Sequence, residues 1–254
     1  MKTWPGLLAA ETVKLRRLVV LRAVGLSLLL GPGVMIVILS LVTDDIHTIV
    51  EAPMEIILGI IVLLAAFGGV VLAAAMLGRE FDLGTVRATL LRGVPRPAFL
   101  LTKIAAAILA MTVLSFIAAL LGVGATVLAG WAPTSAEAVG TITQALWLVP
   151  LASLAYIGFT ALGAILGHSV AAGMLAGLAL FLGDFLLMTL RIGIPFGEWL
   201  PVANLFALLG KTFDLGLSTG AAPSAGVAAL RLAGFGGVTV IVGLLLFERM
   251  DVQH

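Results

Sequence analysis

The sequence predicts an all-α integral membrane protein with six transmembrane helices and both chain ends on one side. Three observations lead there. Of the 254 residues, 61% are hydrophobic and only 11% charged, with a mean hydropathy of +1.23; an average soluble domain carries about 25% charged residues. Several apolar runs reach the roughly 20 residues that a helix needs to cross about 30 Å of hydrocarbon. The ten-residue alternation of apolar and polar side chains that marks a membrane β-barrel does not occur. The net charge of +1 excludes no partner class by itself, and the absence of Cys removes disulfides and thiolate metal sites.

Residues 3–18 read as a short helix lying at the membrane surface. Thr3 can cap it, Pro5 suits its first turn, and Trp4, Leu8 and Leu15 share one side, although Glu11 shares it too. Glu11, Lys14, Arg16 and Arg17 stand where a cleavable leader would be apolar, so this segment is expected to stay. The first span is predicted over 19–41, with Arg22 able to snorkel and Pro32 placed to kink it. The second, 56–77, holds no charge and follows an acidic loop with Asp44, Asp45, Glu51 and Glu55. The third covers 98–129, with Lys103 near one end.

A polar turn over 131–143 is expected before the fourth span, 146–166. Only His168 and Ser169 separate it from the fifth, 170–190, so these two form an antiparallel hairpin. Their Gly163/Gly167 and Gly173/Gly177 pairs would let the two helices approach closely. Residues 191–227 form a long outer segment in which Pro201, Leu205, Phe206, Leu208 and Leu209 predict a helix too short to span, placed at the outer leaflet. The last span is 228–247. With this topology only Arg191, Lys211 and Arg231 of the fourteen Lys and Arg fall opposite the chain ends, which places both termini on the cytoplasmic side.

Residues 79–96, between spans two and three, are the densest charged stretch. Gly84 can break the helix leaving span two, Thr85 can cap a new one, Val86 and Leu90 lie one turn apart on it, and Gly93 with Pro95 ends it. The expected product is a short helix over 80–93, lying across the inner ends of two spans. Val86, Arg87 and Leu90 are suited to docking in a partner's groove. The bland alternative, a basic inner loop that only fixes topology, explains the charge but not the Gly-Thr break or the paired Leu.

These residues resemble the permease subunits of type-2 ABC exporters, including those tied to drug and antimicrobial-peptide resistance. Three parts carry the resemblance: a Glu-x-x-Lys-Leu pattern at Glu11, Lys14 and Leu15; a central motif at Glu80, Gly84, Thr85, Arg87, Leu90, Leu91, Pro95, Arg96 and Lys103; and a tail of Phe-x-Arg-x-Asp type at Phe247, Arg249 and Asp251. The resemblance implies that the first helix is an elbow and that 80–93 is a coupling helix, Arg92 included, seated on a cytoplasmic ATPase. It further implies two ATPase copies, a second permease chain, identical or related, and a bacterial inner membrane as the location. The chain itself would hold no cofactor and do no chemistry, Mg-ATP being bound by the ATPase; no nucleic-acid partner is expected.

Other motifs are weaker. Gly210-Lys211-Thr212 looks like the end of a phosphate loop, but Leu205 stands where that loop needs Gly. Gly216 to Gly220 matches the Gly-x-Ser-x-Gly elbow without the α/β sheet it requires. His47, His168 and His254 are too scattered for a metal site. Asp184 is the one charge deep in a span, where insertion costs about 2.5–3.5 kcal/mol. It either faces a substrate pathway, in which case Asp184→Ala abolishes export, or bonds another span. Two rival classes stand beside the permease reading. An ATP-independent carrier or channel would show repeats or broken helices, and a membrane-embedded enzyme would show clustered polar residues on neighbouring spans. A hydrophobic or amphipathic substrate fits the apolar spans, and 195–214 is the candidate outer gate.

Overall fold

The computed structural model describes residues 4–42, 53–130, 133–190, 197–209 and 223–250. Thr3, Asp44, Asp45, His47, Glu51, Gly210 to Gly220, Arg191, Lys211, Asp251 and His254 lie outside these residues, and so do the expectations that fall on them. Among the described residues every regular element is helical. The helices are α1 (Trp4–Arg17), α2 (Val19–Val42), α3 (Pro53–Ala73), α4 (Thr85–Leu91), α5 (Arg96–Leu128), α6 (Ser135–Gly167), α7 (Val170–Thr189), α8 (Pro201–Leu209) and α9 (Ala225–Arg249). Six are long and apolar enough to cross a membrane: α2, α3 with its extension, α5, α6, α7 and α9.

The centre of the bundle is the pair α3 and α6. Helix α6 touches α3, α5, α7 and α9, and α3 also meets α2, α5 and α7. Ile57, Ile61, Val62 and Leu72 of α3 and Leu148, Tyr156 and Ile157 of α6 are fully buried. The outer faces keep large apolar side chains exposed, among them Leu26, Leu30 and Val34 on α2 and Leu175, Leu182 and Leu186 on α7. In a bilayer those faces have a solvent as apolar as they are, so no hydrophobic force drives them inward.

Helix α3 does not stop at the end of its apolar run. It widens into one turn of π-helix, Ala74–Gly78, and continues as Arg79–Asp82. All five residues of the π turn are buried. Gly78 is the point where the start of α7 lies on α3: a Cβ there would overlap the backbone of Val170. The α6/α7 hairpin is close-packed as its glycines predict, since Cβ atoms on Gly163, Gly167 and Gly177 would overlap Ala176, Ala172 and Thr160. His168 turns the chain with φ 50°, and the Ser169 hydroxyl accepts from the Ala172 N–H at 3.1 Å to start α7.

Two boundaries differ from the sequence reading. The turn expected over 131–143 is helical from Ser135 onward. Its start is a capping box in which the Thr134 hydroxyl accepts from the Glu137 N–H at 3.2 Å and the Glu137 carboxylate accepts from the Thr134 N–H at 2.7 Å. The segment expected as one helix over 80–93 is two pieces: Glu80 belongs to the extension of α3, and α4 itself covers only Thr85–Leu91. Gly84 separates them with φ 64°, a conformation that costs little only without a Cβ, and Gly93 ends α4 with φ 80°.

At the opposite end of the bundle α8 packs on α9, α7, α6 and α3. The Asn204 amide donates to the Glu198 and Leu200 carbonyls at 2.8 and 2.9 Å, and Arg231 of α9 pairs with the Glu198 carboxylate at 2.7 Å.

Candidate functional site

The charged end of the bundle is built around Glu80. It lies one residue past Arg79, beyond the last buried turn of α3, and its carboxylate accepts from the ammonium groups of Lys103 at 3.0 Å and Lys14 at 3.3 Å. Glu11 of α1 accepts from the same two lysines, at 3.0 Å from Lys103 and 3.1 Å from Lys14. Two carboxylates and two ammonium groups therefore alternate in a closed ring joining α1, the α3 extension and α5. Lys103 is 3% exposed, and its ammonium lies 4.9 Å from the centre of the Phe99 ring. Enclosing an ammonium costs its hydration, and the carboxylates of Glu11 and Glu80 offset that loss. Lys14 is half exposed; burial works against its charge, but Glu11 and then Glu80 outweigh that and hold its ammonium above the ordinary lysine range.

Glu80 also holds α4. The Thr85 hydroxyl donates to the Glu80 carboxylate and lies 3.3 Å from its carbonyl oxygen. The sequence reading expected Thr85 to cap α4; the capping position is Gly84 instead, and Thr85, one residue further in, spends its hydroxyl on the preceding helix. The helix is therefore bolted at its start to the ring of charges.

A second bolt lies beyond its end. Arg96, after Pro95 at the start of α5, donates to the carbonyls of Phe247, Glu248 and Met250 at 3.2, 2.6 and 2.9 Å. These are carbonyls that the last turn of a helix leaves without intrahelical partners, and a cation there also suits the negative end of the helix dipole. Between the bolts sits an aromatic cluster. Phe99 and Phe247 stack at 5.7 Å, Phe81 meets Phe247 edge-on at 6.3 Å, and it meets His168 at 5.5 Å. The Asp82 carboxylate faces the Val170 N–H at 3.4 Å. The extension of α3, the end of α9 and the turn of the α6/α7 hairpin are thus packed into one unit.

Val86 of α4, expected on the partner-facing side, is 2% exposed and points into the bundle. Leu90 is half buried on the same side, one turn on. The outward stripe is Arg87 and Leu91, the leucine being 79% exposed, with Arg92 beside it; Leu83, before the break at Gly84, is 68% exposed. The same period that turns Val86 and Leu90 inward turns Arg87 and Leu91 outward.

Asp184 is far from this end. It is buried in α7, and its carboxylate accepts from the Val202 N–H at 2.6 Å, in the first turn of α8. It thus does for α8 what a capping side chain does, from another helix. Among the described residues no group of three His, Asp or Glu converges as metal ligands would.

Sequence reasoning placed Glu11, Lys14, Glu80 and Lys103 in motifs without seeing that they meet. The signal was there in Lys103, an ammonium in a span that needs a counter-charge. It also missed the role of Arg96 at the end of α9 and the cluster of Phe81, Phe99 and Phe247, for which the sequence holds no local signal.

No curated protein matches the chain at a significant level. The family model described as "ABC-2 family transporter protein" matches residues 7–183, which takes in the whole ring of charges, α4 and Arg96 and stops one residue short of Asp184. With most of its length matched, and with six apolar helices fit to span a bilayer, this multi-pass membrane protein belongs to the ABC-2 family of transporter proteins, as a permease subunit.

Proposed function

We propose that this permease is driven by a separate ATPase that docks on α4 and exports a hydrophobic or amphipathic compound. The observation that carries the reading is the double attachment of α4: Thr85 is tied to Glu80 at its start, and Arg96 beyond its end is tied to the last turn of α9. A helix held at both ends cannot absorb a push by bending away. Force applied to its outward stripe, Arg87 and Leu91, passes into α3, α5 and α9. In this reading α1 is the elbow, α4 is the coupling helix, and the working unit is two permease chains with two ATPases that bind Mg-ATP. The termini face the cytoplasm of a bacterial cell, as the distribution of Lys and Arg supports. The second permease chain would cover exposed apolar faces of the spans, and α8 would form part of the outer gate.

The experiment is co-purification of the native permease with an ABC ATPase, followed by ATP turnover in liposomes with candidate amphipathic compounds. Arg87→Glu and Leu91→Asp, both on the outward face, should release the ATPase and abolish stimulated turnover while the permease stays folded. Retention of the ATPase by both variants would discard the docking role of α4. Transport that persists in the absence of any nucleotide would instead favour the carrier reading.

A further inference from the structure

Between α1 and α4 lies a cleft of about 460 Å³, bounded by α1, the α3 extension, α4 and α5. Five cations face two carboxylates there, and the two carboxylates, Glu11 and Glu80, are spent on Lys14 and Lys103 in the closed ring. Arg17, Arg79 and Arg92 are left at the rim, all exposed and without an ion pair among the described residues. The floor is different: Leu15, Ala75 and Met76 line it and are each less than a tenth exposed.

From this juxtaposition of three unpaired guanidinium groups over an apolar floor, we infer that the cleft binds the headgroup of an anionic phospholipid. Arg17 ends α1 just before α2 begins at Val19, and Arg79 is the first charge after the apolar run of α3. Both therefore sit at the level where a span leaves the hydrocarbon, the depth of lipid phosphates. Guanidinium groups bind phosphate oxygens in pairs of hydrogen bonds, and three arginines line a space large enough for a headgroup. The glycerol and upper acyl carbons would lie on Leu15, Ala75 and Met76. An acidic segment of a protein partner would satisfy the rim as well, but Arg17 and Arg79 sit at the depth of lipid phosphates, so the lipid is the better fit. A lipid in this place wedges α1 against α4 and links membrane composition to the position of α4. The binding inference needs only the membrane placement of the chain, not an ATPase.

The test is native mass spectrometry of the purified full-length chain in detergent, titrated with phosphatidylglycerol, phosphatidylcholine or glycerol 3-phosphate. Phosphatidylglycerol should be retained over phosphatidylcholine. Arg79→Gln and Arg92→Gln should each weaken its retention about five-fold, the worth of one arginine at a membrane surface. The combined R17Q/R79Q/R92Q chain should lose the preference altogether. R87Q removes the same charge from the same helix outside the cleft and should leave retention unchanged. Equal retention of both lipids by the native chain, or an undiminished preference in the combined variant, would overturn the proposal. Competition by glycerol 3-phosphate at the same concentration would overturn the lipid assignment in favour of a free phosphate. If the combined variant loses its helical circular dichroism, the folded single variants decide: unchanged retention in both Arg79→Gln and Arg92→Gln overturns the inference.

Discussion

Lys103 of α5 and Glu80 of the α3 extension meet at 3.0 Å across 23 positions of sequence, and the same ammonium reaches Glu11 of α1, also at 3.0 Å. One buried cation thus holds together three helices whose order along the chain does not make them neighbours. Because Lys103 is enclosed, replacing it leaves two carboxylates close together with only the half-exposed Lys14 between them. Lys103→Met should cost on the order of 3–5 kcal/mol, the usual loss when one partner of a buried pair is removed. The measure is thermal unfolding in detergent. Combining it with Glu80→Gln should cost less than the sum of the two single changes, because the double variant no longer leaves that carboxylate unpaired. Strict additivity would mean that the two groups do not interact.

Arg96 carries a separate load. Arg96→Ala strips three carbonyls at the end of α9 of their donor and should lower stability by about 1–3 kcal/mol. Hydrogen exchange should quicken in the last turn of α9 and leave the first turn of α6 unchanged. Arg96→Lys should restore only part of the protection, since all three bonds leave one terminal nitrogen, Nη1, and the shorter lysine side chain ends one bond before that position.

The bond from Asp184 to the Val202 N–H gives a prediction about the opposite end. Asp184→Ala should destabilise α8 by about 0.5–2 kcal/mol, the ordinary worth of a capping acceptor. Asp184→Asn keeps an acceptor oxygen, so α8 should retain its exchange protection. If Asp184 acts by capping, the Asn variant also retains transport. Lost transport in that variant, with exchange undisturbed, would mean that the charge itself lines the pathway.

Close approach at Gly78 is a steric matter and can be tested as one. Gly78→Leu puts a branched side chain where the Val170 backbone lies and should prevent α7 from docking on the π turn. Folded yield in detergent should collapse, whereas Gly183→Leu, on α7 with open space beside it, should be tolerated.

How much of this was legible in the sequence follows from what each signal encodes. The six spans were readable because the length and apolarity of a run are local properties. The break at Gly84 was readable because only glycine takes the left-handed turn at no steric cost. The early start of α6 was encoded by Thr134 and Glu137, three positions apart, but Ser135, Glu137, Thr141 and Thr143 dilute the apolar run and drew the expected boundary inward. The period of α4 paired Val86 with Leu90 but not the direction they face, because a helix lying on other helices has two sides to choose from. The partnership of Glu11 with Lys103, 92 positions away, depends on which helices become neighbours, and no spacing in the chain states that.

The most direct measurement uses the fact that the sequence contains no cysteine. A single cysteine at each of two α4 positions, Leu91→Cys on the outward face and Val86→Cys on the buried one, is introduced into chains reconstituted with an ABC ATPase that co-purifies with them. A heterobifunctional photo-crosslinker attached to position 91 should capture the ATPase, with a yield that changes when ATP is added, and position 86 should capture none. Capture that is equal at the two positions, or absent at Leu91 while nucleotide-driven export persists, would contradict the assignment of α4 as the element through which the ATPase acts.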